Sequence, residues 1–155
     1  MPSNTNQPFE KGIDVSFPEV DRAVEFWRNE MSRPEFQLAR DATPADIRVF
    51  TAAVASLHDH MRLNLGRLRA WRKNLDRGLK VAEARAMREL EDDIGSVSGR
   101  RAALPGELAA YYETINRAEA WLSVYEAVEK WLRDKQDLAL NLITTMKMEF
   151  STDPV

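Results

Sequence analysis

The feature that most constrains this chain is a single long amphipathic period. Placed at about 100° per residue, Ile47, Val54, Leu57, Met61, Leu68, Leu75, Leu79, Ala86 and Leu90 fall on one broad face. The stretch opens on Thr43-Pro44-Ala45-Asp46, which supplies an N-cap hydroxyl, a proline at the first helical position and an acid in the first turn. A helix over residues 44–93 is predicted. The phase survives Gly66 and Gly78, so these are expected as weak points or kinks, Gly78 foremost, and not as ends.

A second long helix is predicted over residues 106–149, after a turn at 95–101 and a restart at Pro105. Leu108, Ile115, Leu122, Glu129, Gln136, Ile143 and Phe150 recur every seven residues. Tyr111, Ala118, Tyr125, Leu132, Ala139 and Met146 fall midway between them, completing a heptad seam with two polar interruptions. Two long helices with a short join favour an antiparallel hairpin. If residue 93 faces residue 106, Glu129 comes within reach of Arg72, and Gln136 lies next to Asn64. Burying these polar groups unpaired would cost a few kcal/mol each, so the pairs would fix the register.

Upstream, Ser16-Phe17-Pro18-Glu19 matches a capping box. A short helix over 18–31 is predicted to follow, with Val20, Val24, Trp27 and Met31 as its apolar stripe. Ser32-Arg33-Pro34 ends it. Residues 1–15 read as a loose arm and 151–155 as a tail, leaving one helical domain over 16–150. The expected class is all-α: a long, coiled-coil-like antiparallel hairpin with a short N-terminal helix packed against it. The last helix carries a second apolar stripe of Trp121, Val124, Val128, Trp131, Leu138 and Leu142. The short helix covers only part of it in this reading, and the remainder is expected to be a protein interface.

Composition agrees. At 155 residues, 44% apolar and 30% charged, the chain suits one soluble domain with a modest core. It has no cysteine, which removes disulfides and thiolate metal sites and fits a reducing compartment. The polar N-terminus lacks signal-peptide character, and no apolar run reaches the roughly 18 residues of a membrane span, so a cytoplasmic location is expected.

The net charge of −3 is unevenly spread. Residues 62–88 carry nine Lys/Arg against Asp76 and Glu83, which leaves the rest of the chain strongly acidic. Arg62, Arg69, Lys73 and Lys80 fall within about 40° of one another, with Arg77 beside them. The row runs along about 27 Å of helix, away from the apolar face. It suits either an acidic partner, including acids of the same or a neighbouring subunit, or a run of phosphates.

No chemistry-bearing motif stands out. His58 and His60 are two residues apart, diverge on a helix and cannot share a metal. Glu89, Glu91, Asp92 and Asp93 crowd a helix end whose dipole disfavours them, with Arg100 and Arg101 as expected local partners. The chain contains no phosphate loop, nucleophile elbow or Cys/His pair. No enzyme activity, metal, cofactor or small-molecule substrate is expected. The expectation is a non-enzymatic subunit or adaptor of a larger assembly, partnered by other protein subunits or by itself. The alternative is an accessory subunit on the DNA or RNA phosphate backbone, without base specificity, in a ribonucleoprotein or DNA-packaging complex.

Overall fold

A computed structural model describes residues 17–39 and 41–151, the last four as backbone only. The arm at 1–15, the capping serine Ser16 and the tail after residue 151 lie outside the described residues. Those described form an all-α chain: α1 (Pro18–Met31), a 3-10 turn (Pro34–Phe36), α2 (Pro44–Glu89), α3 (Val97–Glu107) and α4 (Ala109–Ser151).

The start of α2 follows from its capping box. Thr43 Oγ1 accepts from the Asp46 amide at 3.3 Å, and Asp46 Oδ2 accepts from the Thr43 amide at 2.8 Å. The Thr43 hydroxyl also donates to Asp46 Oδ2 at 2.6 Å, and this bond first, then the one from the Thr43 amide, holds the Asp46 carboxyl below its ordinary pKa. The helix passes unbroken through Gly66 and Gly78. It stops at Glu89, short of the expected 93, because Glu89, Glu91, Asp92 and Asp93 oppose the negative end of its dipole. Arg100 comes back to within 3.4 Å of Glu91. Helix α1 begins after Phe17, which makes no side-chain cap, with Pro18 at the first position and Glu19 and Asp21 in the first turn.

The main departure from the sequence reading is the restart of the chain after α2. Ser96 is an N-cap, its Oγ accepting from the Gly99 amide at 3.1 Å, so α3 begins at Val97. Pro105 lies inside α3, and a break at Leu108 separates α3 from α4. The hairpin turn is therefore centred near residue 93, and α2 and α4 pair in a different register from the one expected.

Helix α4 packs antiparallel to α2, with His58 at Glu129, Arg72 at Glu119 and Gly78 at Tyr111. Helix α1 runs parallel to α4, through Glu19–Arg117 at 2.8 Å and the edge-on rings of Trp27 and Tyr125. Phe36, in the 3-10 turn, extends this layer to Trp131. The core joins Phe17, Val20, Trp27 and Phe36 to Phe50, Val54 and Met61 of α2 and to Val124, Val128 and Leu132 of α4.

The core is lopsided. Where α1 covers the hairpin, three helices enclose it. Beyond Phe17 α2 is faced on one side alone, by the start of α4 and then by α3, and among the described residues of 66–116 the buried apolar side chains are Ala86, Leu108 and Ile115.

The α4 stripe expected as an interface is corrected by this packing. Val124 and Val128 are wholly buried inside the chain, with Trp121 and Trp131 packed on the same cluster. Helix α1 and the 3-10 turn together cover more of α4 than α1 alone could. Leu142 is half-buried, and Leu138 remains 43% exposed.

Candidate docking interface

The polar residues of the hairpin sort into an inner and an outer set. The expected Arg72–Glu129 and Asn64–Gln136 pairs do not form, since both assumed the later turn. Arg72 reaches Glu119 at 2.6 Å and also pairs with Asp76 on its own helix. The Asp76 and Glu119 carboxylates raise the Arg72 guanidinium above its ordinary pKa. Asn64 bonds His60 at 3.0 Å, and Gln136 is half-buried.

Glu129 instead lies between His58 and Arg133, at 3.2 and 2.6 Å. The His58 contact crosses the seam with side chains only 13% and 15% exposed, and it needs the proton on Nε2. Burial pushes the Glu129 carboxyl up, but hydrogen bonds from Arg133 and His58 hold it below its ordinary value. His58 became visible as a partner only once the register was known.

The outer set is cationic. Within the basic row, Arg69 is occupied by Glu126 of α4 at 2.9 Å. Arg62, Lys73, Arg77 and Lys80 are exposed and have no ion-pair partner among the described residues. The same holds for Arg67 and Arg88, whereas Arg85 is paired with Glu89 at 2.6 Å. The cations nearest α4 are thus neutralised across the seam, and those turned outward are left to solvent.

Exposed apolar side chains accompany these outward cations, which the charge-based reading did not anticipate. Val49, Leu63 and Val81 are 64%, 55% and 71% exposed. Ala52, Ala70 and Ala84 are exposed as well. At about 100° per residue all six fall within roughly 100° of arc, opposite the buried Val54, Met61 and Leu65. Arg62, Lys73 and Lys80 border this face on one edge and Arg67 on the other, with Arg77 and Arg88 within it; Asp59 interrupts it on the Val49 side. A shallow recess of about 600 Å³ lies at its far end, lined by Lys80, Val81, Ala84, Arg85, Arg88 and Glu89.

Among the described residues no group of His, Asp and Glu side chains is arranged to hold a metal ion, and no helix is long and apolar enough to cross a membrane. Compared with protein-family models, curated proteins and solved structures, the chain matches none of them.

Proposed function

We propose that this chain is a non-enzymatic helical subunit or adaptor of a larger assembly in the cytoplasm, docked to an anionic protein surface through the outer face of α2. One observation carries this reading. The chain has more acids than bases, 25 against 22, yet four of the five cations in the row find no acid among the described residues. Internal pairing would have neutralised them at small cost, since surface ion pairs form freely. Left open along about 27 Å, they supply charge complementarity and encounter rate for a partner.

The length of the same row favours a second reading, an accessory subunit that lies along the DNA or RNA phosphate backbone without reading bases. Polyglutamate and single- and double-stranded oligonucleotides, each labelled and titrated across a salt series, separate the two. The test variant is Lys73→Glu/Lys80→Glu, because Arg69 is already engaged by Glu126. The adaptor reading expects polyglutamate to bind at low salt and the variant to lose it. Oligonucleotide binding that is tighter than polyglutamate binding, and whose logarithm falls linearly with log salt, establishes the second reading instead. Failure of both polyanions at low salt removes the basic face from the function.

A further inference from the structure

We infer that the outer face of α2 receives an acidic amphipathic helix, seated along Val49, Leu63, Ala70, Val81 and Ala84 with its carboxylates against the flanking cations. The inference rests on the docking reading above and names the kind of partner. Three observations carry it.

The face has its own helical period. Val49, Ala52, Leu63, Ala70, Val81 and Ala84 are separated by 3, 7 or 11 residues, each close to a whole number of turns. An apolar line with that spacing on a straight helix matches a second helix laid along it, whose side chains enter the gaps between successive turns. Alanine at three of the six positions keeps the ridge low, and a Cβ added at Gly66 would meet nothing within 4 Å. The partner's backbone can therefore approach closely.

The charges have one sign on both edges. Arg62, Lys73 and Lys80 lie on one side and Arg67 on the other, with Arg88 at the end of the line itself, all without an ion-pair partner among the described residues. A helix bound between them meets cations at both of its flanking positions, which selects Glu and Asp there and rejects Lys and Arg.

The apolar component argues against a phosphate backbone as occupant. Phosphates engage the cations alone and leave Leu63 and Val81 in water. Base stacking needs aromatic platforms, and none of the six residues on the line is aromatic; the exposed ring of α2, Trp71, stands about 90° round the helix from the centre of the line. An acidic helix uses both components. Its own apolar side chains remove Val49, Leu63 and Val81 from water, and the recess beside Val81 and Ala84 admits a larger side chain near one end.

The test uses the full chain and a designed peptide of four heptads, about 28 residues, with Leu on one stripe and Glu elsewhere. A scrambled peptide of the same composition, polyglutamate, a single-stranded oligonucleotide and anionic phospholipid vesicles complete the set. Binding is read by fluorescence anisotropy at two salt concentrations, and peptide helicity by circular dichroism. The expected result is that the designed peptide binds about tenfold or more tightly than its scrambled form and gains helix on binding. Lys73→Glu/Lys80→Glu weakens it and flattens its salt dependence. Leu63→Gln/Val81→Gln weakens it about tenfold and leaves the salt dependence in place. These four side chains are exposed, so the variants keep the fold.

Equal binding of the scrambled peptide, or no effect of Leu63→Gln/Val81→Gln, overturns the helix inference. The docking reading then still stands if polyglutamate binds and Lys73→Glu/Lys80→Glu loses it. Tighter binding to the oligonucleotide or the vesicles overturns the helix inference in favour of that surface. Absence of binding to every probe at low salt overturns both.

Discussion

Cutting Leu132 back to alanine should cost far more than the same change at Leu79, although both leucines are placed to pack in the α2–α4 seam. Leu132 is wholly buried where α1 closes the third side of the core. The substitution removes three carbons, about 2.4 kcal/mol at roughly 0.8 kcal/mol per buried methylene. A cavity term of about 1 kcal/mol adds to this, because three packed helices cannot collapse freely into the space. The expected loss is about 3.4 kcal/mol. Leu79 is half-buried in the two-helix part, so about half the transfer value applies, near 1.2 kcal/mol, with no enclosed cavity. Urea unfolding followed by far-ultraviolet circular dichroism reads the difference. With a slope of about 2 kcal/mol per molar, the midpoint falls by about 1.7 M for Leu132→Ala and by about 0.6 M for Leu79→Ala. Equal shifts at unchanged slope would refute the idea that α1 divides the hairpin into strongly and weakly held halves.

Further outcomes follow from local geometry. Glu129→Gln should destabilise the protein near neutral pH. The folded carboxyl lies below its ordinary value of 4.5, so its contribution is present above that value and drains away as pH falls through the folded pKa. Urea titrations at about pH 7 and about pH 3 should therefore show a larger variant deficit at the first than at the second; an equal deficit at both would sink the assignment. Gly78→Ala should stabilise by about 0.5–1 kcal/mol, since its Cβ meets Tyr111 at an ordinary 3.7 Å. Gly99→Ala should destabilise, because its Cβ falls 2.8 Å from both Ser96 Oγ, the cap of α3, and Ile94; thermal melts of the two variants should move in opposite directions. Pro105→Ala restores an amide donor inside α3 and should raise both helicity and stability, the latter by about 1 kcal/mol or more. A fall in either would mean that the proline is needed for the break at Leu108.

The long periods carried most of the architecture in the sequence. Thr43 and Asp46 marked the start of α2, and the phase of Ile47, Val54 and Met61 gave its buried face, because capping and amphipathicity are local and additive. The turn was misplaced for an equally local reason. Ser96 caps α3 with Gly99 where a capping box would carry an acid, and between Gly95 and Gly99 it looks like loop chemistry, while Pro105 imitates a helix start. That error moved the register by roughly ten residues, about 15 Å of helix, and every cross-helix pair moved with it. The burial of Val124 and Val128 was not legible because it depends on where the 3-10 turn carries Phe36 after α1 ends. The outer line of α2 was present in the sequence but masked by the cations around it. Its apolar members are few, and only the structure shows Val49, Leu63 and Val81 left bare.

The lopsided core also bears on the order in which the chain folds. A hairpin that zips from its turn forms the 66–116 contacts first and gains little burial from them. The rewarding contacts lie far from the turn, at Val54, Val128 and Leu132, and need larger loops to close: His58 and Glu129 are 71 residues apart, against 47 for Arg72 and Glu119. Loop-closure entropy rises only logarithmically, so the longer loop costs about 0.4 kcal/mol more, well below the burial gained. The rate-limiting nucleus is therefore expected at the end remote from the turn, assembled from segments distant in sequence. Core truncations at Val54, Val128 and Leu132 should slow refolding, whereas Leu79→Ala should chiefly speed unfolding, as stopped-flow chevron plots would show.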